Sequence, residues 1–359
     1  MMIQNCSNLT LCWEKLDQSD VQSTGHNSGF PDSFMNISGG NRSDAGPCQV
    51  LPQDLSLSVL LCVVFLLGSV LNGASLLVFC FRTPEWNTGT LLQFHLTLSN
   101  ILAMPLAPMM ASNLTLGSHW PFGRFLCQAM IALLSSHFYG STVFLMLISM
   151  HRYTLVVHFN KDACMKRKPF VRRLCAGMWL LLLIQATVLA VLLPSSLEEN
   201  EEEHCLSIHH LKINISLLYI TLLLFTLGFL LPFSVSLGCY WCLANMLARL
   251  QNQSARGRAN RYKSQRKIAA CLVTFAMCFL PLHVTRTMGV VLKTFYPSDC
   301  PGLLRAETGY YVSWLLTGVN CFLDPILYGF GSHNFAHTLS LMRFGQRAVQ
   351  HPNPSLSAN

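Results

Sequence analysis

The side chains able to do chemistry are few in this sequence, and most stand alone in apolar surroundings. Asp324 is a carboxylate within the apolar stretch Thr308 to Phe330. A buried acid in hydrocarbon is costly and is functional by default, either as a hydrogen-bond strut or as support for a helix rearrangement, with Ser141 and Asn320 as its expected partners. His283 and Arg286 lie just beyond Pro281 in another apolar stretch. A cation there must meet a counter-charge, which favours a ligand carboxylate or phosphate or, more plainly, an ion pair with a glutamate of the same chain. Arg152 ends a further stretch, where a guanidinium snorkels to the membrane edge. No nucleophile and base recur as a pair inside these stretches, so an enzyme is not expected. No C-x-x-C pair is matched by a second pair or by paired histidines, which argues against a metal, and Cys239 and Cys242 read as packing. Nothing calls for a cofactor.

The elements that carry these residues follow from composition. The chain has 359 residues, 52% hydrophobic and only 11% charged, whereas soluble domains carry roughly a quarter charged. A bilayer crossing needs about 20 apolar residues. Stretches that meet this run over Leu55 to Phe81, Phe125 to His151, Leu174 to Leu197, Ile213 to Ala248, and Ile268 to Thr285 with an extension past Arg286; Leu91 to Ser112 and Thr308 to Phe330 are weaker. Backbone groups in lipid must be satisfied within each segment, so helices are expected. The expected fold is an all-α membrane protein, a seven-transmembrane helix bundle.

Orientation follows the Lys/Arg bias of short loops. Lys161, Lys166, Arg167, Lys168, Arg172 and Arg173 follow the third stretch, and Arg249, Arg256, Arg258, Arg261, Lys263, Arg266 and Lys267 follow the fifth. Both loops are expected in the cytosol. An alternate loop is acidic through Glu198, Glu199, Glu201, Glu202 and Glu203, for which Lys293 and Arg305 are available cations. The net charge of +8 is thus dispersed in loops and not gathered in a stripe for nucleic acid. An odd number of crossings puts the N-terminus outside. Its polar residues carry N-x-S/T sequons at Asn5, Asn8, Asn36 and Asn41, and Asn113 and Asn214 are further sequons near the membrane. With no cleavable signal peptide expected, the first helix serves as its own insertion signal. Cys6, Cys12, Cys48, Cys127, Cys205 and Cys300 map to the outside, an even set in a disulfide-permitting compartment. The expected division is an extracellular glycosylated tail over 1–54, the seven-helix domain over 55–330, and a cytoplasmic tail over 331–359. In that tail Phe335, Leu339 and Met342, with Arg343 and Arg347, have the spacing of a short amphipathic eighth helix on the membrane surface.

Residues in order along the chain resemble the rhodopsin-like (class A) G-protein-coupled receptors: Asn72; Trp120, Phe122, Gly123 and Cys127; His151-Arg152-Tyr153; Trp179; Pro232 and Tyr240; Phe275, Cys278, Phe279 and Pro281; and Asp324-Pro325-Ile326-Leu327-Tyr328. YGSTVFLMLISMHRYTLVVH, FAMCFLPLHVTRT and LDPILYGF resemble the branch holding purinergic nucleotide, dicarboxylate and several lipid and orphan receptors. The resemblance implies disulfide roles for Cys127, Cys205, Cys48 and Cys300, the last two joining the tail to the third outer loop. It implies that Arg152 is released on activation to meet a heterotrimeric G protein, with Tyr153, Tyr240 and Tyr328 in the same switch. His151 replaces the acid that usually neighbours this arginine, so packing and hydrogen bonds are expected to hold the resting state, with appreciable basal signalling. Asn100 stands where the family usually has aspartate, Asp324 where it commonly has asparagine, and Phe279 where it often has tryptophan. His283 and Arg286 fall where related receptors bind anions, while Ile131 and Trp314 occupy positions that are arginine in several nucleotide receptors. With Leu134, Phe138, Tyr139, Tyr310, Tyr311 and Trp314 around them, the implied ligand is a small extracellular anionic metabolite or lipid. The implied location is the plasma membrane, with membrane lipid as a further partner. A polytopic transporter would share the composition, but no inverted repeat or pair of broken helices is visible. A receptor-like protein that no longer couples is a third reading, prompted by Asn100 and His151.

Overall fold

The computed structural model describes residues 55–83, 85–116, 120–157, 163–195, 205, 207, 215–249 and 255–329. The sequons of the tail, Cys48, the acidic loop and the amphipathic segment after residue 330 lie outside the described residues.

The described chain is helical. We number α1 Leu55–Phe81, α2 Thr88–Ile101, α3 Ala107–Thr115, α4 Gly123–Val157, α5 Lys168–Ser195, α6 Ile215–Phe225, α7 Leu231–Arg249, α8 Ala255–Phe295 and α9 Cys300–Asp324. Two pairs form single crossings: α2 with α3 through a short 3₁₀ turn at Met104–Leu106, and α6 with α7 through a π turn at Thr226–Leu230. Six crossings meet the length and apolarity of a membrane span. The seventh, α9, is diluted by Arg305, Glu307 and Asp324.

One-sided burial explains how these helices share the work. In α5, Val171, Cys175, Leu182, Ala186 and Leu189 are buried at helical spacing, while Leu180, Leu181, Leu183 and Ile184 are each more than half exposed. Water would oppose so much open leucine, whereas lipid tails accept it. α4 is the opposite case, buried along most of its length, and forms the post around which the others pack.

The interruptions are written in prolines. Pro105 and Pro108 lack an N–H, and the chain passes from α2 to α3 through Met104–Leu106. Pro232 likewise cannot bond the carbonyl of Gly228, four residues back; that oxygen instead accepts the Thr142 hydroxyl of α4 at 2.9 Å. Pro325 leaves the carbonyl of Cys321 open, and Asn72 Nδ2 of α1 donates to it at 2.8 Å. Pro232 and Pro325 are therefore places where a neighbouring helix plugs into a freed backbone acceptor. A π turn ends just before Pro232, and another begins at Pro325.

Gly123, which opens α4, has φ +75°, a conformation that favours glycine. Trp120 Nε1 donates to its carbonyl at 2.9 Å, so the W-x-F-G spacing has a local physical basis. Trp179 Nε1 of α5 donates to His95 Nδ1 at 3.1 Å, and the rings of His95, Phe144 and Trp179 form one stack joining α2, α4 and α5.

Candidate functional site

Three polar groups lie along the bundle. The first is at the end marked by a disulfide between Cys127 of α4 and Cys205. Two residues on, Ser207 Oγ donates to Glu307 Oε1 at 2.6 Å, and Tyr311 donates to the same oxygen at 2.6 Å. Glu307 is 2% exposed, and short bonds to hydroxyls are how a carboxylate is kept in such a place. The disulfide and this contact together strap the loop from α4 to α9. Cys300 is also disulfide-bonded.

Behind the strap, His283 of α8 lies among Tyr139, Phe225 and Phe229, with ring centroids at 5.8, 5.8 and 5.1 Å. Arg286 is one turn further along α8, half-buried, and its charge acts on both Tyr139 and His283. Gly228 faces the Tyr139 ring so closely that any Cβ there would collide with it. On α9, Tyr310 and Tyr311 each meet Trp314 edge to face and lie tilted to one another, with centroids 5.0 to 6.2 Å apart. Among the described residues, the indole Nε1 of Trp314 and His283 Nε2 are buried with no hydrogen-bond partner. Thr285 and Ser313 hydroxyls, 3.4 Å apart, link α8 to α9. Phe138 is buried one residue before Tyr139, its ring 5.3 Å from His137. His283, Arg286 and Tyr139 thus form one group, and Tyr310 and Trp314 another.

The second group lies midway. Asp324 Oδ2 accepts Asn100 Nδ2 at 2.9 Å and Asn320 Nδ2 at 2.8 Å. Asn320 is the expected partner, but Ser141 reaches the carboxylate only indirectly, donating to Asn100 Oδ1 at 2.9 Å. His137, fully buried, sits 3.4 Å from Ser141 Oγ through Nδ1 and 3.4 Å from Cys321 Sγ through Nε2. Gly140 leaves room for the Ser99 side chain against α4. From the first group a run of rings leads along α7 and α8: His283 to Phe229 at 5.1 Å, Phe229 to Phe275 at 5.6 Å, and Phe275 to Phe279 at 5.6 Å.

The third group is at the opposite end. His151 Nε2 and Thr88 Oγ1 of α2 are 2.8 Å apart. Gly89 keeps the space under that ring clear, since a Cβ there would lie 3.0 Å from His151 Cε1. Arg152 is half-buried and Tyr153 buried. Tyr240 of α7 packs against the contact between Leu243 and Leu272, joining α7 to α8. Tyr328 lies in the π turn Pro325–Gly329; its side chain is outside the described residues.

Sequence reasoning overlooked Glu307 and His137. Glu307 stands one residue before the stretch read as apolar from Thr308, and the pattern Glu307, Tyr310, Tyr311, Trp314 has the helical spacing that would have drawn it in. His137 is hidden in the polar run SSHFYGST, where its isolation in an otherwise membrane-length segment was the available signal.

Comparison with known proteins bears on the whole chain. Residues 71–328 match the family described as 7 transmembrane receptor (rhodopsin family). A purinoceptor of Rattus norvegicus, of type 4, is 32% identical over 302 residues, covering 83% of this chain and 80% of that protein. A purinoceptor of Homo sapiens, of type 2, is 34% identical, covering 82% and 76% respectively. Lysophosphatidic acid receptor 5 of Bos taurus is 32% identical, covering 78% and 77%. Coverage of this extent leaves little room for a transporter or an enzyme: the chain belongs to the rhodopsin family of seven-transmembrane receptors, a multi-pass plasma-membrane protein that links a small ligand to G proteins.

Proposed function

We propose that the disulfide end faces the outside of the cell and receives a small acidic ligand, an anionic metabolite or a lipid, and that the Arg152 end faces the cytosol and engages a heterotrimeric G protein. Residues 1–54 are then an extracellular tail glycosylated at Asn5, Asn8, Asn36 and Asn41 and tied by Cys48 to Cys300. Residues 55–330 are the receptor domain, and 331–359 a cytoplasmic tail whose amphipathic segment lies along membrane lipid.

The observation that carries the ligand reading is the unbroken column of rings from His283 through Phe229 and Phe275 to Phe279. A ligand acid paired with Arg286 presses on His283 and Tyr139, and close-packed rings pass a displacement on because an interior at crystal-like density cannot absorb it locally. The buried N–H of Trp314 can only donate, so a ligand acceptor oxygen satisfies it, with Tyr310 and Phe138 as apolar walls. An acidic amphiphile meets both demands. One relative's name, lysophosphatidic acid receptor 5, refers to an acidic lipid; that name belongs to that protein and is in keeping with the reading.

From these rings the movement passes from α8 to α9, against which α8 is packed, and so to Asp324 and Asn100, where a hydrogen-bonded carboxylate can exchange partners as α8 and α9 shift. At the far end His151, bonded to Thr88, leaves Arg152 without the usual acidic neighbour; release of Arg152, with Tyr153, Tyr240 and Tyr328, opens the coupling surface. The test is a second-messenger screen of transfected cells with acidic metabolites, nucleotides and lysolipids, repeated with Arg286→Ala. A response to an acidic compound that Arg286→Ala abolishes is expected. A neutral or cationic agonist acting equally on both forms would overturn the reading.

A further inference from the structure

Two threonines beside His283 hold hydroxyls that the bundle does not use. α6 and α8 run antiparallel where they meet: Phe225 stacks on His283 with centroids 5.8 Å apart, and Phe229, four residues on, meets both His283 at 5.1 Å and Phe275 at 5.6 Å. One turn back from Phe225 on α6 is Thr221, and one turn on from His283 on α8 is Thr287. Residues four apart share a helix face, so the two threonines stand opposite one another across the seam, one level beyond the Phe225 and His283 pair. Thr221 is 4% exposed. Both hydroxyls are buried without a hydrogen-bond partner among the described residues, as is His283 Nε2. A helical threonine can return its hydroxyl to the carbonyl one turn back; Thr226, Thr285 and Thr294, on the same two crossings, do so at 2.9, 2.8 and 2.7 Å. Thr221 and Thr287 do not.

The seam is also one-sided in charge. Arg286, next to Thr287 in the chain, is half-buried, and its charge acts on His283 and on Tyr139 of α4. None of α4, α6 and α8 contains an aspartate or glutamate, so these walls offer no acid in return. What answers such a set is an anion rich in acceptors. The hydroxyls, the guanidinium and His283 in its Nε2–H tautomer all donate. A carboxylate has two oxygens in one plane, and the Arg286 fork alone suits that geometry. Three further donors, carried by two facing helices at levels about 6 Å apart, call for oxygens in three directions. A phosphate monoester presents three acceptor oxygens and close to two negative charges.

We propose that Thr221, Thr287 and His283, with Arg286, form a seat for a phosphate monoester between α6 and α8, so that the ligand's acid is a phosphate in preference to a carboxylate. This rests on the reading that Arg286 meets the ligand's acid, and it adds the two threonines as the residues that select the head group. The monoester belongs either to a lipid or to a water-soluble metabolite.

The full-length receptor is purified in nonionic detergent, and its thermal unfolding is followed with two matched pairs of probes: hexadecyl phosphate against hexadecanoate, and glycerol 3-phosphate against glycerate. In one pair the phosphate raises the midpoint by about 3 °C or more, and the carboxylate by less than half as much; the pair that responds identifies the source. The double variant Thr221→Val, Thr287→Val loses the difference between head groups. Its ligand-free midpoint stays level or rises, because a methyl replaces an unanswered hydroxyl. Equal rises with phosphate and carboxylate, or a preference that survives in the double variant, would overturn the proposal and leave the acidic-ligand reading standing if Arg286→Ala still removes the response. A response that survives Arg286→Ala, or none to any of the four probes, would sink that reading and the proposal with it. A lowered ligand-free midpoint in the double variant would show the hydroxyls already answered within the bundle, which also refutes the seat. If the double variant cannot be purified, Thr287→Val alone decides: it must reduce the rise with the phosphate and leave that with the carboxylate unchanged.

Discussion

The middle and the disulfide end of this bundle handle buried polar groups in opposite ways. Around Asp324 the donors and acceptors answer one another: Asn100 and Asn320 donate to the carboxylate, Ser141 to Asn100, and Asn72 to the backbone oxygen that Pro325 leaves open, with Asn320 Oδ1 alone lacking a partner. Around His283 and Trp314 the rings are as tightly buried, yet His283 Nε2 and Trp314 Nε1 have no partner among the described residues. Leaving a buried polar group unpaired costs about 1–3 kcal/mol. A network that satisfies itself holds a fold together, whereas unpaired groups are open to another molecule. In the proposed function the first region is a hinge with defined bonds and the second the ligand site.

The comparison can be broken at several points. Asp324→Ala strips two amides of their acceptor and opens a cavity, so stability should fall by about 3 kcal/mol or more, seen as a lowered unfolding midpoint and reduced surface expression. An unchanged midpoint would show that the central network is not a structural hinge. Trp314→Phe should act chiefly on potency. It removes an unsatisfied donor but leaves a cavity in a fully buried site, so the two effects oppose and the loss of stability should be about 1 kcal/mol, well below that of Asp324→Ala, while the potency of an acidic agonist falls by roughly tenfold with the loss of one hydrogen bond. A large drop in stability with unaltered potency would make Trp314 an ordinary core residue.

Smaller effects sharpen the picture at the two ends. Thr88→Val removes the hydroxyl that His151 meets at 2.8 Å. One net hydrogen bond of about 1 kcal/mol would shift a two-state equilibrium roughly fivefold, and ligand-free second-messenger output should rise by that order; no rise would mean that other contacts hold the resting state. Least of all is expected from Asn113→Gln. Asn113 belongs to a sequon but is fully buried in α3, so the folded receptor has no space for a glycan there, and electrophoretic mobility should be unaltered. A shift to a faster band would show that the site is used.

Hydrophobic runs made the crossings legible in the sequence, because lipid imposes both length and apolarity. Asp324, His283 and Arg286 stood out for the same reason, as polar residues where polarity is expensive, whereas Asn100 was marked only by the family resemblance. The ends of helices were less visible: α8 begins at Ala255, well before the apolar run at Ile268, and α9 begins at Cys300, before Thr308. In each case charged residues extend the helix beyond the apolar stretch, and hydropathy does not register helix that continues into water. Glu307 fell into that blind margin. The π turns were invisible because no period marks them, although Pro232 and Pro325 announced the missing N–H groups. Which side chains would cap the freed carbonyls depended on packing across helices, and Thr142 and Asn72 became identifiable only once α4 and α1 were in place.

The claim that one end senses and the other signals is put most directly to G-protein nucleotide exchange, measured on membranes carrying wild type, Arg286→Ala or Arg152→Ala in the presence and absence of an acidic agonist. Arg286→Ala should keep ligand-free exchange and lose the agonist increment, while Arg152→Ala should lose both. Full agonist-driven exchange by Arg152→Ala would refute the division of labour between the two ends.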